Sequence, residues 1–435
     1  MNRFKTALEL QGFPLKKAEQ VLNERKKNIQ IDGCDILNEK KWDIFNFQKS
    51  HNEFYDKFLA DRKVEKWEDI PIMTKQDLQI PLEQRLSKGY TKKSVFVNKT
   101  SGSSGHPFIF AKDKFAHALS WAHIIDLYQQ FNVKIGKSLE ARFYGIPKDF
   151  KGHQKERLKD KMAKRYRFDI FDLSEKNLST FVRIFKQKPF EYINGYTSSI
   201  VMFAKYLKDR KIILKHLCPT LKVCFTTSEM LFENDRQLLR ESFGVQVIKE
   251  YGASEFGVIA FENENQNWLL NNLTLYTEVV DENGKPWDFG QEGDLVVTSL
   301  DNKAHPFIRY KIGDVGILSQ PKRDNRQTLE KLTGRTNVFA VLPSGKKVPA
   351  LSFYYVTKSV IDNNGNVKEL KVVQEKINQF LIRYVADQEL NPFQKTSIKN
   401  AIEKYLEPGL ELRFIRAQAL KRTKRGKLLQ FESLL

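Results

Sequence analysis

A chain of 435 residues exceeds what one hydrophobic core usually serves, so at least two domains are expected, one of them large. Its 41% hydrophobic and 12% aromatic content supports real cores, while no window approaches the ~18 consecutive apolar residues that span a bilayer, and Met1 to Gln11 has no signal-peptide core. The net charge of +20, 73 basic against 53 acidic residues, suits a polyanionic partner, whether nucleic acid, an anionic membrane surface or phosphate-rich substrates. Three scattered cysteines, Cys34, Cys218 and Cys224, exclude a disulfide framework and fit a reducing compartment, so a cytoplasmic location is expected.

Residues 1 to 90 read as helices. Phe45, Phe54, Phe58 and Leu59 have amphipathic spacing, and Trp67-Glu68-Asp69-Ile70-Pro71-Ile72 closes the region before Thr74, which is expected to cap another short helix. A β-prone run, Val95 to Val97, and Lys99 then lead into Thr100, Ser101, Gly102, Ser103, Ser104 and Gly105. Pro107 stiffens the exit, and a second apolar run, Phe108 to Ala111, follows, so the loop joins two strands. Its glycines allow close backbone approach and its hydroxyls and amides can surround an anion, so it reads as a phosphate cradle or as a flexible Gly/Ser turn. It is not a Walker loop, because no glycine-rich run is completed by Gly-Lys-Ser/Thr.

Beyond it, Phe115 to Phe131 has helical periodicity and Ala141 to Ile146 reads as a strand. The segment Lys148 to Arg167 carries nine basic and three acidic residues. With Arg413 to Lys427, seven basic and none acidic, it concentrates the positive charge. Neither stretch has the interleaved aromatics of a single-strand-binding surface, so specific nucleic-acid recognition is not expected and a solvated basic face suffices.

Leu173 to Phe185 is a helix opened by Ser174, and Tyr192 to Ser199 a strand breaking into a helix N-terminus. Leu221 to Thr227 is an apolar strand ended by Ser228-Glu229, Asp235 to Phe243 a helix, and Val245 to Lys249 a strand running into Tyr251-Gly252-Ala253-Ser254-Glu255. Strands alternating with helices predict an α/β domain with a largely parallel sheet, whose ligands sit at the carboxyl ends of strands. The last five residues offer an aromatic face, a tight bend, a phosphate hydrogen bond and a hard oxygen ligand for Mg²⁺, or make an ordinary strand-turn.

Glu278 to Pro286 and Gly293 to Thr298 are β-rich, with a hairpin signal at Asn283-Gly284. In Phe307 to Asp314, Asp314 follows a glycine and can accept ribose hydroxyls, and Arg335 after Gly334 can pair with phosphate or ribose oxygen. Strands at Val338 to Leu342, Lys371 to Gln374, Phe380 to Val385 and Glu411 to Ile415, with a helix from Phe393 to Leu406, make a small α+β unit that ends in a basic tail containing Lys427.

The order TSGSSGHP, Thr227-Ser228-Glu229, YGASE, RYKIGD, Gly334-Arg335 and a late Gly426-Lys427 resembles the adenylate-forming enzymes: acyl-coenzyme A synthetases, adenylation domains and luciferases. The serine-rich loop followed by proline, and WEDIPIMTK, are similar to the phenylacetate–coenzyme A ligase branch and its CapK-type capsular polysaccharide biosynthesis proteins. This resemblance implies an α/β protein: a large N-terminal domain over residues 1–334 with mainly parallel sheets, and a small mobile α+β domain over 335–435.

It also implies ATP- and Mg²⁺-dependent adenylation of a carboxylic acid, then acyl transfer to coenzyme A or to an amine or sugar. By the same likeness Thr100 to Gly105 hold the phosphates and Glu255 binds magnesium. Ser228, Glu229, Tyr251, Gly252, Ala253, Ser254, Asp314 and Arg335 serve adenine and ribose; Tyr144, Tyr196, Ser198 and Phe256 face the acid. Lys427 stabilises the developing charge, and Thr336 and Asn337 form the hinge, where the family usually carries an aspartate in place of Asn337. A homodimer is compatible with this picture. Two other classes stay open: a nucleotide-binding but catalytically degenerate scaffold, and a polyanion-binding protein of a biosynthetic complex.

Overall fold

The computed structural model describes residues 2–32, 34–60, 62–99, 108–146, 150–320, 327–335, 339–349, 367–422, 428 and 431–435. The chain divides into two compact units, Met1–Ile312 with Gly316–Lys331, and Gly313–Val315 with Leu332–Leu435. Among the described residues no helix is long and apolar enough to cross a membrane.

The first unit begins with α1 (Arg3–Leu10), α2 (Leu15–Asp32), α3 (Cys34–His51) and α4 (Glu53–Leu59). Asn52 starts α4 by accepting from the Tyr55 N–H at 3.0 Å. Thr74 does not cap a helix: its N–H and hydroxyl both donate to Asp77 Oδ2, at 2.7 and 2.6 Å, and close a turn. An aspartate three residues on satisfies those donors without any helix.

Strands β1 (Phe96–Lys99) and β2 (Ile109–Lys112) pair antiparallel, Lys99 opposite Ile109, so the serine-glycine loop joins two strands as expected. Then come α5 (Lys114–Gln129), capped by the Asp113 carboxylate, β3 (Glu140–Phe143), α6 (Phe150–Met162) and β4 (Arg165–Arg167). The basic stretch is thus a helix and a strand, joined by the buried pair Arg167–Asp160, Nε to Oδ2 at 2.8 Å. Next are α7 (Glu175–Gln187), whose N-cap is Ser174, β5 (Tyr192–Tyr196), α8 (Thr197–Asp209), α9 (Leu214–Leu217), β6 (Val223–Thr227) and α10 (Glu233–Phe243). The unit continues with β7 (Gln246–Ala253), β8 (Gly257–Glu262), β9 (Trp268–Leu270), β10 (Leu275–Val280) and β11 (Glu292–Ser299), and with β12 (Tyr310–Ser319) and β13 (Thr328–Arg335) except for Gly313–Val315 and Leu332–Arg335, which belong to the second unit.

One eleven-stranded sheet runs β10-β11-β12-β13-β9-β8-β7-β6-β5-β3-β4. Its β4-β3-β5-β6-β7 half is parallel, as the helix–strand alternation predicts, and β7-β8, β8-β9, β9-β13 and β10-β11 are antiparallel. Side chains of alternate residues enter two cores. One face packs Phe143, Ile193, Cys224 and Val247 against α7, α8 and α10, and the other packs Tyr192, Phe225 and Ile248 against α5.

The second unit pairs β14 (Phe339–Val341) with β15 (Lys347–Pro349). Its four-stranded sheet has the order β18-β17-β16-β19, from β16 (Val367–Lys376), β17 (Gln379–Ala386), β18 (Glu411–Arg416) and β19 (Phe431–Ser433). Helix α11 (Pro392–Tyr405) opens with a reciprocal Asn391–Gln394 capping box and proline at its start. Its Ile398 and Ile402 join Val372, Phe380, Ile382 and Phe431 in a separate core.

A buried arginine ties distant parts of the first unit. Arg309 donates to the carbonyls of Glu68 (3.0 Å), Ile70 (2.7 Å) and Gly284 (2.7 Å), and its Nε lies 3.4 Å from Glu278. Trp67 Nε1 donates to the same Glu278 at 2.9 Å. Met73 N–H and Lys311 N–H exchange backbone bonds with Arg309 and Met73 carbonyls at 3.0 and 2.8 Å. Arg309→Met would leave Glu278 buried without its cation, and a urea titration should read a loss of about 3–5 kcal/mol.

Candidate active site

The register of the parallel strands sets out the site. Phe143 of β3 lies beside Gly195 of β5, Tyr196 beside Thr227 of β6, and Thr227 beside Glu250 of β7. The carboxyl ends of β3, β5 and β6 therefore lie within a residue of one level while β7 runs on to Ala253, and Tyr144, Tyr196, Ser228, Glu229 and Tyr251 sit on or just beyond that level. Gly195 is required here, since a Cβ would lie 2.3 Å from the Phe143 carbonyl oxygen.

The Tyr144 and Tyr196 rings pack at a tilt of 59° with centroids 4.8 Å apart, and the Arg142 guanidinium lies 4.2 Å from the Tyr144 ring centroid. Burial pushes the Tyr144 phenol well above its ordinary pKa, so the ring stays neutral. At the exit of β6, Ser228 takes a left-handed backbone conformation, φ +67°, rarely accepted by a non-glycine residue. This bend sends Glu229 back over the start of α8. Glu229 Oε2 accepts from the Ser198 N–H at 2.7 Å, and the Glu229 carbonyl accepts from Thr197 Oγ1 at 3.2 Å. The carboxylate supplies the cap that Tyr196, at the N-cap of α8, lacks, and its Oε1 is buried without a partner.

Strand β7 runs through Tyr251, Gly252 and Ala253, two to four residues further than its apolar run predicts, pairing them with Ala260, Val258 and Gly257 of β8. A Cβ on Gly252 would meet the Gly257 carbonyl oxygen at 2.3 Å, which explains the glycine between tyrosine and alanine. The chain reverses at Ser254 and Glu255, and the Phe256 N–H returns to the Ala253 carbonyl at 3.1 Å. Ser254 is exposed and Glu255 half-buried at this tip. Phe256 is buried among aromatic rings, 5.2 Å from Phe307 and 5.9 Å from Tyr310.

Lys112, which closes β2, belongs to no motif and escapes a linear reading. It is 6% exposed, lines a small cavity with Ser120 and Phe256, and its Nζ is 3.5 Å from Ser120 Oγ. Burial pushes its pKa down to about 8, with the Glu255 carboxylate pulling the other way. Only the fold, by bringing β2 against the turn after β7, makes this lysine a neighbour of Glu255.

Asp314 lies in β12, 9% exposed, and Arg335 ends β13. Thr100, Ser101, Gly102, Ser103, Ser104, Gly105, Thr336, Asn337 and Lys427 lie outside the described residues. The structure thus brings together Tyr144, Tyr196, Ser198, Ser228, Glu229 and Tyr251 at one edge.

The chain is 24% identical over 397 residues to Protein CapK of Staphylococcus aureus, covering 88% of this chain and 83% of CapK. It is 27% identical over 128 residues to phenylacetate-coenzyme A ligase of Aromatoleum evansii, which covers 28% of this chain and 29% of that enzyme. Among solved structures, 2-hydroxyisobutyryl-CoA ligase in the postadenylation state with 2-HIB-AMP superposes with a TM-score of 0.68 at 16% identity, over 91% of this chain and 88% of that one. The fold is that of the adenylate-forming enzymes. ATP-bound MatB from Rhodopseudomonas palustris shares it with a TM-score of 0.53 at 15% identity, over 77% of this chain and 66% of that one. No family model matches the chain.

Within this adenylate-forming fold, Lys112 gives a stability test. A lysine depressed to about 8 binds fewer protons folded than unfolded between pH 8 and its ordinary value, so stability rises with pH across that window. Lys112→Met should therefore stabilise the protein at pH 7 by about 1–3 kcal/mol, and the gain should fade towards pH 10. Thermal melts of both proteins across pH 7 to 10 check the sign.

Proposed function

We propose that this chain is an ATP-dependent carboxylate ligase that makes an acyl-adenylate and then transfers the acyl group. A carboxylate oxygen of the acid attacks the α-phosphorus of ATP, the bond to the β-phosphate oxygen breaks, and pyrophosphate leaves. The observation that carries this reading is the level row of strand ends with Tyr144, Tyr196, Ser228, Glu229 and Tyr251 beside the YGASE turn. The likeness in fold to 2-hydroxyisobutyryl-CoA ligase holding 2-HIB-AMP, and the partial similarity to phenylacetate-coenzyme A ligase, support it.

The hairpin of β1 and β2 carries Thr100, Ser101, Gly102, Ser103, Ser104 and Gly105, whose amides and hydroxyls bind the β- and γ-phosphates. Tyr251, Gly252, Ala253 and Ser254 border adenine and the α-phosphate, with Ser228 and Glu229 across from them. Asp314 and Arg335 bind the ribose.

Among the described residues no group of three acidic, histidine or cysteine side chains forms a metal cage. Glu255, a single half-buried carboxylate at a turn tip, fits Mg²⁺, which takes one or two carboxylates and completes its shell with phosphate oxygens. When bound, magnesium neutralises charge on the triphosphate. Lys427, in a mobile C-terminal domain of residues 335–435 that turns about Thr336 and Asn337, stabilises charge at the reacting phosphate.

The acceptor in the second half-reaction is coenzyme A, with an amine or sugar as the alternative if the chain acts in polysaccharide assembly. The whole cycle belongs in the cytoplasm, where ATP and thiols are supplied. An assay of pyrophosphate exchange into ATP, run over aryl, fatty, amino and hydroxy acids, tests the first half-reaction. Exchange that depends on one class of acid is expected. Lys427→Ala and Glu255→Gln should each lower it by about 100-fold or more with the melting temperature of Glu255→Gln unchanged. Asp314→Ala should mainly raise the ATP concentration required. ATP binding without exchange for any acid would identify a degenerate scaffold instead.

A further inference from the structure

The face of the parallel sheet that packs on α5 changes character one pleat before its carboxyl edge. Tyr192, Phe225 and Ile248 are apolar core, whereas the next residues on the same face are Asn194, Thr227 and Glu250. Arg142 continues this row on β3; Tyr144, one residue past β3, lies against the Arg142 guanidinium, and Tyr144 and Tyr196 pack together at the edge of the opposite core. Asn194 Nδ2 donates to the Tyr128 hydroxyl at 2.6 Å, and that hydroxyl donates to Glu250 Oε2 at 2.9 Å. The Thr227 hydroxyl is a second hydrogen-bond partner of Glu250.

A carboxylate has about four acceptor positions, so these two donors leave acceptor capacity on the largely buried Glu250. Arg142 donates to Glu140 at 2.6 Å through Nη1, and its Nε is buried without a partner. Burial raises the Glu250 pKa, and the Tyr128 and Thr227 hydrogen bonds and the Arg142 charge oppose that rise. An acyl cavity for an alkyl chain or plain ring gains nothing from a carboxyl group at its wall, where desolvation costs kilocalories unless a polar partner arrives.

We propose that Glu250 is a specificity-determining residue, and that the acid bound between Tyr144, Tyr196 and Glu250 carries an O–H or N–H donor that hydrogen-bonds this carboxyl group. The inference rests on the adenylation reading above and adds the class of substrate, a hydroxy- or amino-substituted carboxylic acid of short or aromatic frame. Tyr144 and Tyr196 hold its carbon skeleton, and the Asn194–Tyr128–Glu250 chain fixes the orientation of the acceptor oxygens. A site built around such a bond rejects an analogue lacking the donor far more strongly than an apolar pocket rejects an added hydroxyl.

The test uses the purified full chain and matched pairs: 4-hydroxybenzoate and 4-aminobenzoate against benzoate, and 3-hydroxybutyrate against butyrate. Pyrophosphate exchange gives kcat/KM for each acid, and calorimetry gives its binding. The donor-bearing member of at least one pair should be favoured by about 100-fold or more in wild type, and Glu250→Leu should bring that ratio below about 10, raising turnover of the plain acid. Glu250→Gln, which keeps the shape, should lie between them and serves if the leucine variant does not fold. Preference for the plain acids, or an equal fall for both members of each pair in Glu250→Leu and Glu250→Gln, would overturn the proposal while leaving adenylation intact. Glu250-dependent binding of the donor-bearing acid without exchange would uphold it and overturn adenylation, and neither binding nor exchange with any acid would overturn both.

Discussion

The candidate site depends on the shared register of β3, β5, β6 and β7. Because Phe143, Gly195, Thr226 and Lys249 follow one another in step across the sheet, β3, β5 and β6 end within a residue of one level, beside the stretch of β7 that runs on to Ala253. In a parallel sheet a slip of one residue would move every following side chain to the opposite face. Gly195 and Gly252 protect the register from within: at both positions a side chain would strike a neighbouring backbone oxygen at 2.3 Å. The positions that define the site are held by backbone geometry before any ligand enters.

Local chemistry made much of this legible in the sequence. Ser174 and Asn391 start helices because their short side chains accept orphan N–H groups, and Ser174 does so where the pattern predicts. Two apolar runs around the serine-glycine loop become β1 and β2 because they pair with each other directly. Thr74 was misleading for the same reason that caps are readable: the hydroxyl needs a nearby partner, and Asp77 provides one inside a simple turn. The helix α6 gave little apolar signal, since its sequence FKGHQKERLKDKM is mostly charged and its buried contact is the ion pair of Asp160 with Arg167.

Lys112, Arg142 and Glu250 were illegible on different grounds. Each looks like a surface charge in a linear reading; Lys112 and Glu250 acquire meaning from a partner on a helix, and Arg142 from burial beside its neighbours along β3. Lys112 meets Ser120 of α5, Arg142 meets Glu140 and the Tyr144 ring, and Glu250 meets Tyr128, which lies 122 residues away. Burying a charged group is costly, and that cost separates these three from the many solvated charges of a chain carrying +20.

The motifs themselves divide into parts that hold the fold and parts left for chemistry. In RYKIGD the arginine is spent on three carbonyls and Glu278, joining the motif to Trp67-Glu68-Asp69-Ile70 some 240 residues earlier. The two stretches keep company in sequence because one is the other's structural partner through Arg309, Trp67 and Met73. In YGASE the glycine is consumed by strand pairing and the tyrosine is buried within β7, which leaves the serine and glutamate at the tip of a fixed bend. A short motif therefore reports a backbone requirement as readily as a reacting group, and only the coordinates of each member separate the two.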